Sequence, residues 1–169
     1  MTGEVAQLNA MTQEEAVAAL LQCCGSLKWA RKVADERPFD DMRELLLTAD
    51  HVWWSLDALD WLEAFSAHPK IGEKKAAPVA SESSRWSQEE QAGASRAAVE
   101  TLDELTLANH DYERRFGYIF IVCATGKSAD EMLALMHERL KNEPDTELRI
   151  AAEEQRRITH LRLEKLLSQ

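Results

Sequence analysis

The chain has little that bends or cross-links a backbone. Its 169 residues contain six glycines and four prolines, too few for a sandwich of short strands joined by many turns, and a composition that favours long helices. There are three cysteines, Cys23, Cys24 and Cys123. An odd number, with two of them adjacent and no C-x-x-C pair, excludes a disulfide framework and points to reduced thiols in a cytoplasmic protein. No apolar run reaches membrane-spanning length, and the N-terminus lacks a basic stretch followed by an apolar one. The final residues, Leu167-Ser168-Gln169, do not form a peroxisomal tripeptide. Basic charge is also short: 20 Lys and Arg against 30 Asp and Glu leave a net charge of −10. Such a chain repels phosphate backbones and anionic lipid surfaces, so neither nucleic acid nor membrane is expected as a partner. A local basic pocket for a small anionic substrate remains compatible with it. No Walker loop, dinucleotide glycine fingerprint or G-x-S-x-G elbow is present. The five histidines fall in neither H-x-x-x-H nor H-E-x-x-H spacing, so no metal site is expected.

What the chain does have is a globular balance, 45% hydrophobic and 30% charged, in a length that suits one domain with its own core. Residues 1–11 read as a loose arm. Thr12-Gln13-Glu14-Glu15 is a capping box, in which a hydroxyl and a carboxylate three residues apart satisfy each other's backbone N–H. It opens a helix that Gly25 stops. Ser26 caps a second helix ending before Pro38. Met42, Leu45, Leu46, Ala49, Val52 and Trp53 recur at helical spacing in a third, over about 41–54. A fourth spans about 56–66 and ends at His68, because Pro69 excludes its predecessor from helical backbone. A long loop follows to Trp86, with Gly72, Pro78 and three serines; a break of that length in a compact domain is functional or mobile. Ser87-Gln88-Glu89-Glu90 is a second capping box, opening a helix to about Ala108. Phe116–Ala124 is rich in aromatic and β-branched residues. With no second strand to pair with, it reads as a buried irregular or helical segment. Ser128-Ala129-Asp130-Glu131 is a third capping box, for a helix to about Leu140. Pro144 introduces the last helix, with Ile150, Ile158, Leu161, Leu163 and Leu166 as its apolar residues. The expectation is an all-α protein, one compact domain of seven to eight helices.

Four places bear on chemistry, each with a plain structural alternative. His68 is non-helical at a helix end, and an unperturbed imidazole titrates near neutrality, so it could exchange a proton with whatever lies beyond the terminus, or it is a loop histidine at the surface. Glu90 is the third residue of a capping box, a purely structural post. A helix start also gathers free N–H groups and partial positive charge, so Ser87, Gln91 and the backbone could hold a carboxylate or amide with Glu90 beside it. Phe120–Ala124 is core; if non-helical, its backbone groups need partners, which a heterocycle with ring N–H and C=O could supply. Arg162 sits in a mostly apolar stretch. A solvated arginine is the commoner case; the alternative is a guanidinium aimed into a pocket to take a carboxylate bidentately. The five tryptophans read as core and interface residues.

Taken together these blocks form a pattern. His68-Pro69 with Ile71-Gly72, Ser87-Gln88-Glu89-Glu90-Gln91-Ala92-Gly93, Asn109 with Tyr112, Arg115-Phe116-Gly117, Phe120-Ile121-Val122-Cys123-Ala124, Glu138-Arg139-Leu140-Lys141-Asn142, and Ile158 with Leu161-Arg162-Leu163 occur in that order. The chain resembles the 2-oxo-4-hydroxy-4-carboxy-5-ureidoimidazoline (OHCU) decarboxylases of uric acid degradation. The resemblance covers most of the chain beyond about residue 12. It implies an all-α homodimer that needs no cofactor and decarboxylates OHCU to (S)-allantoin. By match to the family's motifs, His68 would be the catalytic acid and Glu90 would complete the polar pair. Pro69, Ser87, Gln88, Glu89, Glu90, Gln91, Phe120, Ile121, Val122, Cys123 and Ala124 would line the substrate site, with Arg162 near the substrate's anionic group. The Glu73-Lys74-Lys75-Ala76-Ala77 stretch departs from the pattern, so its contacts are not carried over. A helical binding module for a protein partner and a metal-dependent hydrolase are the competing classes; mutation of His68 separates the first from an enzyme, and chelation separates the second.

Overall fold

The computed structural model describes residues 3–70 and 99–168. Among them are eight helices and no strand: α1 (Gly3–Ala10), α2 (Gln13–Cys23), α3 (Leu27–Asp35), α4 (Met42–Ser55), α5 (Ala58–Ser66), α6 (Val99–Phe116), α7 (Ala129–Arg139) and α8 (Pro144–Leu167). The all-α expectation holds. The chain groups into two compact units, Met1–Ala67 with Arg156–Gln169, and His68–Gln155.

In the first unit, local signals start α2 to α5 close to where the sequence places them. Thr12 and Glu15 form the full capping box of α2. Ser26 accepts from the Trp29 N–H at the start of α3, and Asp41 from the Glu44 N–H at the start of α4. A further box, Asp57 with Asp60, opens α5. Trp29, Leu20, Leu45 and Phe65 are fully buried. Trp29 and Trp61 place their indole N–H groups on the carbonyls of Ala49 (3.1 Å) and Trp53 (3.0 Å), so these rings are buried without an unmet donor.

The loose arm is a correction. Residues 3–10 form a helix whose Val5 and Leu8 are buried at 1% and 0% exposure. Two side chains from farther along hold it. Asn9 exchanges two hydrogen bonds with the Phe39 backbone (2.8 and 2.9 Å), and Arg37 donates to the carbonyls of Leu8 (2.9 Å) and Met11 (2.7 Å). Eight residues are too few to be helical alone, so the order here is tertiary.

In the second unit, α6 runs to Phe116, eight residues beyond the expected stop at Ala108. The polar run after Ala108 hides a continuing stripe: Leu105, Ala108, Asn109 and Tyr112 are all buried. The stop is Gly117, at φ +85° with its N–H on the Glu113 carbonyl (2.8 Å), a left-handed cap that glycine adopts without strain. Phe120–Ala124 is buried and neither helix nor strand, so of the irregular or helical forms expected for Phe116–Ala124 this part takes the irregular one, while Phe116 ends α6. Ser128 and Glu131 form the capping box of α7. Leu105, Tyr112, Phe120, Val122, Met132 and Met136 pack into this unit's core.

Candidate functional site

Helix α5 ends at Ser66, and Ala67 caps it with its N–H on the Ala64 and Phe65 carbonyls. His68 and Pro69 follow in non-helical backbone, both half-buried. The His68 ring is fixed: its Nε2 lies 2.6 Å from Oε1 of Gln155, a fully buried residue of α8. An amide oxygen only accepts, so the hydrogen of this bond belongs to the imidazole. Beyond Pro69, Lys70 pairs with Glu113 of α6 at 2.8 Å.

The backbone just before His68 has a tight neighbour. A Cβ on Gly25 would stand 2.5 Å from the Cβ of Ala67. The expectation that Gly25 stops α2 is corrected: the helix ends at Cys23, two residues earlier. The C-cap is Cys24, in extended backbone, and Gly25 is needed so that the chain can pass Ala67.

Phe120, Ile121, Val122, Cys123 and Ala124 are all buried, none more than 9% exposed. Two cationic side chains reach their carbonyls: Arg139 donates to Ile121 (2.6 Å) and Lys127 to Cys123 (2.8 Å). Arg139 is itself buried and paired with Glu147, through Nε at 2.9 Å and Nη2 at 2.6 Å, with its guanidinium carbon 4.3 Å from the centre of the Phe120 ring. Tyr112 and Asn142 also donate to Glu147. Burial raises the Tyr112 phenol well above its ordinary range; Arg139 opposes this and the Glu147 carboxylate adds to it, so the hydroxyl stays protonated. This cluster satisfies a buried carboxylate with a cation and two neutral donors, and it fixes the backbone of Ile121.

Arg162 is buried at 4% exposure, so the solvated reading fails. It belongs to the first unit, where its charge, with bonds from Ser26 and Thr159, partly offsets the burial that pushes the Cys24 thiol up to about 12. Cys24 is thus a protonated core thiol. None of the three cysteines is in a disulfide, and all are buried. Ser87, Gln88, Glu89, Glu90 and Gln91 lie outside the described residues. His68, Pro69 and Phe120–Ala124 fall in one unit and Arg162 in the other. Among the described residues no group of three or more His, Cys, Asp or Glu could hold a metal ion, and no helix is long and apolar enough to cross a membrane.

Sequence reasoning missed Gln155 and the Arg139–Glu147 pair. Gln155 sits in a run of five polar residues, 153–157, that looks solvated. Its spacing could have found it, since Ala151, Ala152, Gln155, Ile158, Thr159 and Arg162 make one buried helical stripe. Nothing in the sequence marks Arg139 and Glu147 as partners.

These features define a helical protein with a histidine hydrogen-bonded at a helix end and a buried, side-chain-supported irregular segment. A family model described as OHCU decarboxylase matches residues 9–164, and the chain belongs to that family. A uric acid degradation bifunctional protein of Arabidopsis thaliana is 42% identical over 148 residues, covering 86% of this chain; the chain spans 45% of that protein. The 2-oxo-4-hydroxy-4-carboxy-5-ureidoimidazoline decarboxylase of Haloferax volcanii is 29% identical, with 96% of this chain and 95% of that one covered. A crystal structure of OHCU decarboxylase in the presence of (S)-allantoin superposes with TM-score 0.78 at 37% identity, covering 94% of this chain and 100% of that chain. The expected carboxy-lyase function in uric acid degradation stands with this membership.

Proposed function

We propose that this chain decarboxylates OHCU to (S)-allantoin with no cofactor, that His68 is its catalytic acid, and that Glu90 completes the polar pair. The observation that carries the reading is the His68 ring, held at 2.6 Å by a buried amide at the end of α5, in a member of a decarboxylase family. When the carboxylate leaves as CO2, the electron pair of the broken C–C bond needs a sink. The adjoining ring C=N bond of OHCU takes it, so the electron sink that other decarboxylases borrow from pyridoxal or thiamine lies within the substrate. The protein's tasks are to orient the carboxylate, stabilise the displaced charge and return one proton to one face of the ring carbon. His68 delivers that proton. Pro69, Ser87 to Gln91 and Phe120–Ala124 line the substrate, and Arg162, a buried cation on α8, takes its anionic group. The family likeness supports a homodimer, and three cysteines held in no disulfide fit a cytoplasmic setting.

The test supplies substrate from urate oxidase and hydroxyisourate hydrolase and follows the circular dichroism of the allantoin formed. Chelator-treated protein gives one enantiomer at an undiminished rate. His68→Asn and Glu90→Gln stay folded by far-ultraviolet dichroism and lose about 10²–10⁴-fold in turnover, the usual worth of a placed acid–base group. Racemic product at the spontaneous rate from the unmodified chain overturns the proposal.

A further inference from the structure

Gln155 has no place in the family pattern set out above, yet it hydrogen-bonds the His68 ring at 2.6 Å. Its side chain is wholly buried, and an amide in such surroundings must be hydrogen-bonded to be tolerated. It places its carbonyl oxygen, the acceptor-only atom, 2.6 Å from Nε2 of His68. A neutral imidazole carries one hydrogen, and this contact assigns it to Nε2. We propose that Gln155 is a positioning residue for His68: it holds the ring as the Nε2–H form, so that the proton exchanged with substrate is the one on Nδ1. The proposal rests on the reading of His68 as the acid and says which of its two nitrogens acts.

The chemistry favours an amide over a carboxylate here. Either would anchor the ring, as partners of working histidines commonly do. A carboxylate would also stabilise the imidazolium and make it reluctant to release its proton. A neutral carbonyl fixes tautomer and orientation while leaving the ring a competent acid near neutral pH. When Nδ1 gives up its proton, the other hydrogen stays on Nε2, donated to the Gln155 carbonyl, and the ring returns to the neutral form already bonded in this structure. Reprotonation at Nδ1 restores the acid. No atom of Gln155 gains or loses a proton in the cycle.

Three measurements on the full chain test this. Nitrogen-15 spectra of histidine-labelled protein, with the His68 signals assigned by their loss in His68→Asn, report the tautomer directly; the Nε2–H form is expected. Gln155→Leu removes the acceptor, and the ring then populates the Nδ1–H form. Its kcat falls about 10–100-fold, the range typical when a partner that orients a working histidine is lost, while KM changes little. Gln155→Glu keeps the acceptor and adds charge. It retains the Nε2–H form, and the alkaline limb of its kcat profile moves to higher pH, because a carboxylate beside the ring favours the protonated acid. A merely structural Gln155 would lower stability in both variants and move neither the tautomer nor the pH profile. A wild-type Nδ1–H ring, or a Gln155→Leu protein with unchanged kcat per folded molecule beside an inactive His68→Asn, overturns the proposal and leaves the acid assignment standing. Full turnover in His68→Asn overturns the acid assignment and this proposal with it.

Discussion

At the start of α2, the Thr12 hydroxyl meets the Glu15 N–H and the Glu15 carboxylate meets the Thr12 N–H, so both donors find partners three residues away. In the irregular stretch after α6, the Ile121 carbonyl is met by a guanidinium eighteen residues on. That guanidinium is in turn neutralised by a carboxylate eight residues farther. The first arrangement is exposed, local and redundant with water. The second is buried and depends on three separated segments arriving together. Local satisfaction makes a helix start nearly independent of its surroundings, whereas distant satisfaction makes a non-helical segment possible at all, because an unpartnered buried carbonyl is costly.

The contrast predicts unequal penalties. The largest belongs to Arg139→Met, which strips the Ile121 carbonyl of its donor and leaves Glu147 buried without its cation. Breaking one half of a buried pair typically costs about 3–5 kcal/mol. Urea unfolding monitored by tryptophan fluorescence should show a loss of that size; a loss below 1 kcal/mol, on the order of a surface pair, would erase the difference between the two regions.

Gly25→Ala should be intermediate. Its new methyl must displace Ala67, and overpacking of this kind costs roughly 1–3 kcal/mol. Since Ala67 is bonded to His68, turnover per folded molecule should fall as well. The double variant Gly25→Ala, Ala67→Gly restores the room and should recover much of both losses. Additive effects in that double-mutant cycle would show that the two positions do not press on each other.

The smallest effect is expected from Thr12→Ala, which removes one cap and leaves water to replace it, at a cost of about 1 kcal/mol. A thermal midpoint lowered as far as in Arg139→Met would mean that the capping box carries more than its local bonds.

The helix starts were legible because their cause is local. Thr12, Ser26, Asp41 and Ser128 act on N–H groups within three residues, and neighbouring sequence is all that such a contact needs. His68 was legible for the same reason, since Pro69 acts on the backbone beside it, and the apolar spacing was enough to call the class all-α. The stop of α6 at Gly117 was written in the sequence but masked by the polar run Asn109–Arg115, whose buried members are identified only by what packs on them. The order of α1 depends on Asn9 meeting Phe39 and on Arg37 reaching Leu8. The state of the His68 ring depends on Gln155, eighty-seven positions away, and the stability of Ile121 on Arg139 and Glu147. The sequence by itself determined where helices begin and which residue types stand at the breaks, because hydrogen bonds between near neighbours follow from covalent spacing. Which polar side chains are buried, what they hold and which imidazole nitrogen carries the hydrogen were decided only by the tertiary structure, because those contacts join segments whose approach no local pattern encodes.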